Sequence, residues 1–162
     1  MLTSLLIIVA VAAPMKVDTS KWETKSLSSL GKQPFSFKAS LKLPPKSKST
    51  SATYSVGGKP GGTMANVDLP NGVRVILMER SPNAMNDPAM TAQVLAMTGK
   101  VLEVRKGATS YMIFVEQDQG LVIQGATWAV MPGLDCATEK ALTMPQAEEV
   151  TAICESLTAS KR

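Results

Sequence analysis

The sequence predicts an α+β fold, in which two main helices pack on a single antiparallel β-sheet and the second, amphipathic helix closes the chain. Three observations lead to this prediction: short runs that alternate apolar and polar residues, two segments with apolar residues at helical spacing, and short connections between them. Strands and helices joined in this order favour helices packed against an antiparallel sheet.

The chain begins with an uncharged apolar segment that ends in small residues. Ala10 and Ala12 stand in an A-x-A arrangement, followed by Ala13 and Pro14. The segment is shorter than the roughly 20 residues that span a bilayer, so residues 1–12 are predicted as a secretory signal peptide. Because no Lys or Arg precedes the apolar run, an uncleaved N-terminal anchor is the alternative. We therefore expect a periplasmic or secreted protein.

The remainder of the chain divides into a lead-in and one domain. Residues 13–33 are polar and rich in Ser and Lys, so they are predicted as an extended lead-in or a first short strand. Residues 34–162 are predicted as a single α+β domain, because about 130 residues suffice for one hydrophobic core. Residues 44–63 combine Pro, Lys, Ser and Gly, which predicts a flexible basic loop within this domain.

Two segments in the first half have the clearest strand signals. Phe35–Leu43 alternates apolar and polar side chains, which predicts a strand with one solvated face. Met64–Leu69 and Val73–Met78 flank an Asn71-Gly72 pair, and Asn-Gly between two apolar runs predicts a β-hairpin.

Three further apolar runs follow one another closely in the second half. Residues 101–105, 110–116 and 121–130 are separated by short segments that contain glycine. This pattern predicts an antiparallel meander, with a β-bulge at Gly125.

Both helices are marked by capping signals. Asp87 and Pro88 suit the N-cap and first position of a helix that ends before Gly99, and Thr143 to Gln146 fits a capping box for the last helix. The residues predicted to form their apolar faces are Met90, Val94 and Met97 in the first helix and Val150, Ile153, Cys154 and Leu157 in the second.

Positive charge is concentrated in the first third of the chain. Residues 16–62 contain nine lysines and two carboxylates, whereas residues 63–162 contain eight basic and eleven acidic residues. We expect a basic face to attract another protein with an acidic patch, and an anionic membrane surface is a second candidate partner. Solvated edge lysines are the alternative without a binding role. The residues predicted to bind are Lys42, Lys46, Lys48 and Lys59.

Other classes of function have weaker support. The first arginine is Arg74, so a nucleic-acid partner is not expected. The chain contains no histidine, which removes the commonest general base and metal ligand. Ser29 and Lys32 match the S-x-x-K motif, but the companion motifs of that enzyme class are absent, and the glycines around Lys59 lack the phosphate-loop pattern. We expect no catalytic site, cofactor or metal; an unusual Ser/Lys or carboxylate hydrolase is the least favoured hypothesis.

The two cysteines, Cys136 and Cys154, are predicted to form a disulfide if the protein is exported. Two buried thiols or a redox pair remain as alternatives, although no C-x-x-C motif is present.

The ten methionines are interpreted as adaptable core residues. Thioethers select Cu(I), but Met64, Met78, Met112 and Met131 fall in separate runs, and no M-x-M or M-x-x-M cluster occurs. Spacing along the chain therefore does not predict a soft-metal site.

The order of elements is similar to that of a known group of exported proteins. Phe35-Ser36-Phe37 leads into a strand that ends at Leu43-Pro44, and the last helix runs from Ala147 through Leu157. This layout resembles the PsbP-like/DcrB-like group of small exported α+β proteins. The resemblance implies a non-enzymatic accessory protein of the envelope or lumen and assigns no catalytic residue. The cysteine pair and the lysine-rich loop depart from the pattern of that group.

Taken together, these features predict an exported, non-enzymatic accessory protein that recognises another protein through its basic loop face. The alternative is a small-molecule or lipid carrier of the cell envelope, with a methionine-lined pocket between sheet and helices.

Overall fold

The computed structural model describes residues 14–84 and 86–160, and in this part of the chain it contains ten strands and two helices. The predicted signal peptide lies outside the described residues. The helices are α1 (Pro88–Leu95) and α2 (Met144–Glu155). The strands are β1 (Glu23–Ser26), β2 (Ala39–Leu43), β3 (Lys48–Val56), β4 (Lys59–Asp68), β5 (Arg74–Glu79), β6 (Lys100–Lys106), β7 (Ser110–Gln117), β8 (Gly120–Thr127), β9 (Leu134–Thr138) and β10 (Thr158–Ala159).

The prediction of a single sheet is wrong, because the strands form two sheets. Seven of them pair in the order β3-β4-β5-β9-β8-β7-β6, and the other three pair in the order β1-β2-β10. All the pairings are antiparallel. Most of the secondary structure is therefore β, and two short helices accompany it.

The second sheet forms because the seven-stranded sheet is too wide for one helix to cover. Seven strands spaced about 4.8 Å apart extend over nearly 30 Å, whereas a helix is only about 10 Å wide. A single helix such as α2 therefore leaves much of one face of the seven-stranded sheet uncovered. Leu41 and Leu43 of β2 are buried in the same hydrophobic cluster as Val150 and Ile153 of α2, so sheet and helix cover that face together. We refer to it as the covered face.

Several local predictions are confirmed. The side chain of Asp87 accepts a hydrogen bond from the Ala89 backbone N–H at the start of α1. Thr143 and Gln146 form the predicted capping box of α2. The Asn71-Gly72 turn connects β4 to β5, with Gly72 at a φ of 85°, and β6, β7 and β8 form the predicted meander.

Other local predictions differ from the structure. Of the strand predicted at residues 35–43, only β2 is formed, and most of the loop predicted at residues 44–63 belongs to the β3–β4 hairpin. Gly125 is not a bulge, since its pairings with Met112 and Cys136 are in register. A side chain at Gly125 would collide with the Met112 thioether, which explains the glycine.

The opposite face of the seven-stranded sheet is only partly covered, and we refer to it as the open face. Helix α1 packs over β6 and β7, where Tyr111, Ile113 and Val115 form a second buried cluster with Ala126. With eight residues, α1 is about 12 Å long and does not reach across seven strands. The open face of β4, β5 and β9 is consequently left without a covering element among the described residues.

Candidate functional site

Helix α1 presents its apolar residues to solvent. Met90 is 51% exposed and Val94 is 64% exposed, while Met97, just beyond the helix, is 84% exposed. These residues were predicted to face the core. The residues of α1 that pack against the sheet cluster are instead Ala92 and Leu95, and the small Ala92 permits close approach of the helix. An apolar stripe is therefore left on the outer side of the helix.

Beside α1, the open face forms the floor of an apolar groove with a volume of about 580 Å³. Strand pairing defines two rows across this floor. One row runs through Asn66, Ile76, Ala137 and Gln124, and the other runs through Met64, Met78, Asp135 and Ala126. The side chains that line this groove, and that define the methionine groove, belong to Ile76, Met78, Arg80, Met90, Thr91, Val94, Tyr111, Gln124, Asp135 and Ala137.

One end of the methionine groove is polar. The Arg80 side chain is buried, and its Nε lies 3.0 Å from Oδ1 of Asp135. Its guanidinium donates a hydrogen bond to Asn86 at 2.5 Å and lies 5.4 Å from the centre of the Trp128 ring. Burial raises the pKa of Asp135, and the charge of Arg80 partly offsets this effect. This end of the groove thus offers a fixed, charge-compensated pair beside an apolar floor.

A second polar cluster adjoins the same end. The hydroxyl of Tyr54 donates a hydrogen bond of 2.5 Å to the backbone oxygen of Glu79. Burial raises the pKa of Tyr54, and the nearby carboxylates of Asp135 and Glu79 act in the same direction. The buried Glu79 side chain accepts hydrogen bonds from the hydroxyl and the backbone N–H of Ser36. These bonds fix the loop before β2 and the β3–β4 hairpin to the end of β5.

The four lysines predicted to bind do not form one patch. Lys48 begins β3 and lies opposite Asp68 in the strand register. The Asp68 carboxylate forms an ion pair with Arg74. Lys59 begins β4 at the other end of the hairpin, roughly 25 Å away along a nine-residue strand. The remaining two, Lys42 on β2 and Lys46 in the following loop, are exposed near the Lys48 end. Their binding role stays a prediction.

Cys136 and Cys154 form a disulfide, as predicted, with their Cα atoms 6.4 Å apart. The bond joins β9 to α2 on the covered face and is fully buried. Its presence is compatible with an oxidising, exported location. Since β9 is central in the sheet, the disulfide connects the layer of α2 directly to the strand beneath the methionine groove.

An arginine with two carboxylates lies on the covered face. Arg105 of β6 contacts Glu148 of α2 at 2.6 Å and Glu103 at 2.8 Å, and it lies 4.3 Å from the centre of the Phe114 ring. Both carboxylates raise the pKa of Arg105. Glu148 is buried and the other two side chains are partly buried between helix and sheet, so we assign the cluster a structural role.

The S-x-x-K match and the possibility of a metal site can both be compared with the structure. Ser29 donates a hydrogen bond of 2.7 Å to the Ser26 backbone oxygen in a 3-10 turn. Within residues 14–84 and 86–160, no group of three or more Cys, Asp or Glu residues is arranged to hold a metal ion. In the same part of the chain, none of the helices combines the length and the apolar character that crossing a membrane requires.

Sequence reasoning missed most of the methionine groove. Arg80 and Asp135 belong to no motif, and Met78 was interpreted as a core residue although it is only partly buried. One signal was present: Val75 to Met78 is apolar on both strand faces, whereas a half-solvated strand alternates. Comparisons of the chain with protein families, with curated proteins and with solved structures found no match. The resemblance to the PsbP-like/DcrB-like group therefore stays a prediction.

Proposed function

We propose that this protein is an exported, non-enzymatic binding protein that takes an apolar segment of another protein into the methionine groove. The observation that supports this most directly is the continuous apolar surface formed by the outer stripe of α1 and the uncovered floor of β5 and β9. Large exposed apolar patches on soluble proteins mark interaction sites, and methionine suits surfaces that adapt to apolar partners.

The shape of the groove favours a protein segment over a small molecule. Sites for small ligands enclose most of the ligand surface. The methionine groove lies along an open sheet face, and its apolar surface continues over Val94 to Met97 on the outer side of α1. A helix or extended segment from a partner would contact both parts of this surface at once. The volume of about 580 Å³ lies within the range of small-molecule sites, so a lipid or metabolite is the alternative ligand.

A positive charge on the same face of the sheet, outside the methionine groove, is consistent with the predicted acidic partner. Lys48 lies on the open face, at the end of the sheet opposite to Asp135. Asp68 and Arg74 beside it form an ion pair, so Lys48 contributes positive charge there. A partner whose apolar segment is followed by carboxylates would match both features. Export is supported by the predicted signal peptide together with the buried disulfide.

Site-specific photo-crosslinking in the native host tests this proposal. A photoreactive residue replaces Val94 in one variant and Val56 in the control, since Val56 is equally exposed, at 66%, but lies at the tip of the β3–β4 hairpin. We expect a defined protein adduct from position 94 that is absent from position 56. The adduct should disappear when Met78→Lys places a charge on the groove floor.

Each outcome of this experiment is informative. Equal adducts from positions 94 and 56, or an adduct that survives Met78→Lys, would refute the groove as the binding site. A lipid or metabolite adduct at position 94, in place of a protein, would support the carrier alternative. If position 94 gives no adduct but a partner is still captured through Lys42 or Lys46, the binding site would be assigned to the basic face.

A further inference from the structure

We propose that two copies of this protein cover each other's open faces, with helix α1 of each copy lying in the methionine groove of the other. This inference rests on the groove of the proposed function and adds a second occupant, which fills the groove while no segment of another protein is bound. It follows from the two apolar sides of α1 and from the width of the floor beside it.

Helix α1 is apolar on two opposite sides. With about 100° between successive helical residues, the outer stripe of Met90, Val94 and Met97 lies opposite to the side that packs on the sheet. Residues 88–99 contain no charged side chain. A surface helix normally carries charged and polar residues on the side away from the core, so the outer side of α1 has the composition of a buried surface.

The uncovered floor has room for one more helix. Strands β4, β5 and β9 are neighbours in the sheet, and three strands spaced about 4.8 Å apart extend over roughly 14 Å. A helix is about 10 Å wide, and the eight residues of α1 make it about 12 Å long. The floor presents Ile76 and Met78, which match the apolar stripe in character. A second helix with an apolar side would therefore cover this floor.

A second copy of the chain supplies this helix. A two-fold axis that runs between two facing sheets would place α1 of each copy on the floor of the other, so every contact is made twice. Each α1 then lies between two sheets, with Ala92 and Leu95 on its own sheet and the outer stripe on the floor of the other copy. The same chain thus provides both the helix and the groove that receives it.

Charge and size are compatible with this contact. Helix α1 brings no charged residue into the groove, and the charged residues that line the groove, Arg80 and Asp135, lie 3.0 Å apart as an ion pair. The contact therefore leaves no new charge unpaired. A helix of eight residues makes a small contact even when the contact is made twice, and small interfaces belong to complexes that dissociate readily. A segment of another protein can then displace the second copy.

Sedimentation velocity of the purified, oxidised protein over micromolar to millimolar concentrations measures this association. We expect a reversible equilibrium between one and two copies. Val94→Lys on the outer stripe and Met78→Glu on the floor should each weaken the dimer by at least about tenfold, because each places a charge in an apolar contact. An equimolar mixture of the two variants should restore dimers, since these contain one unaltered contact and one contact that joins Lys to Glu.

Val56→Lys is the matched control, because Val56 is equally exposed, at 66%, but lies at the tip of the β3–β4 hairpin. It should leave the association unchanged, and thermal melts verify that each variant is folded. If Met78→Glu does not fold, Val94→Lys decides alone, since Val94 is 64% exposed. A monomer at every concentration, a dimer that resists Val94→Lys, or a mixture of folded variants that stays monomeric would overturn the inference.

The dimer and the proposed function fail in different ways. A protein that is monomeric at every concentration, yet gives an adduct with a different protein from position 94 in the host, would overturn the dimer and retain the groove as the binding site. A dimer that Val94→Lys dissociates, together with no adduct to a different protein, would support the inference and overturn the proposed function.

Discussion

Reduction of the Cys136–Cys154 disulfide should lower the free energy of unfolding by about 3 kcal/mol. The bond closes a loop over a sequence separation of 18 residues, and the chain-entropy relation gives this value for a loop of that length. Both sulfur atoms lie in the core of the covered face, so the reduced thiols remain buried and the packing changes little. For a domain of this size the loss corresponds to a fall in melting temperature of about 6 to 12 °C.

Urea unfolding of the same protein with and without reductant measures this effect, with intact mass to confirm the redox state. The double variant Cys136→Ala/Cys154→Ala is the control, because its unfolding midpoint should not respond to reductant. A loss below about 1 kcal/mol on reduction would refute the entropic reasoning for this loop. Protein isolated from an oxidising compartment with two free thiols would contradict the pairing itself.

Three further predictions concern stability. Arg105→Met removes the charged partner of the Glu148 carboxylate and should destabilise the fold by about 1.5–3 kcal/mol in urea unfolding, whereas Arg105→Met/Glu148→Gln should recover much of this loss. Thr143→Ala removes the capping box of α2 and should cost about 1 kcal/mol by the same assay, and Thr143→Ser should restore it. Burial raises the pKa of Glu149, partly offset by its bond from Asn71, so the folded state binds more protons than the unfolded state just above the ordinary pKa of glutamate. The stability contributed at this site therefore falls as the pH rises through that window. Glu149→Gln should make the urea midpoint fall less steeply with pH. An unchanged dependence of the midpoint on pH would contradict this assignment.

The elements that sequence alone predicted are those fixed by local chemistry. The capping box at Thr143, the Asn71-Gly72 turn and the periodicity of α2 each depend on residues within a few positions of one another. Pairing between distant strands has no such local signal. Strand β9 has only five residues, yet it inserts between β5 and β8, and β10 joins a sheet begun by β1 and β2. The second sheet could therefore not be predicted from local pattern.

The first helix shows why the site was missed. Met90, Val94 and Met97 have the spacing of a buried helix face, and hydrophobic periodicity cannot distinguish a face packed on the core from a face left for a partner. In the structure Ala92 and Leu95 of α1 pack inward, and the small Ala92 allows the helix to lie close to β6 and β7. Met90, Val94 and Met97 then point outward. Their direction is decided by the partner strands, which the helix sequence does not encode.

The side chains that β3 and β5 present on the open face differ, and this difference indicates that the methionine groove is occupied when the protein functions. On this face, β3 at the edge presents Thr50 and Ala52, whereas β5 presents Ile76 and Met78 in the same two rows. A solvated face of an antiparallel sheet is normally polar, and in these two rows β3 carries a hydroxyl group and a methyl group where β5 carries two large apolar side chains. Large apolar side chains begin with Met64 of β4, continue with Ile76 and Met78 of β5 and reach Met90 and Val94 of α1. This concentration of large apolar side chains on one concave surface fits a surface that is covered when a ligand is bound.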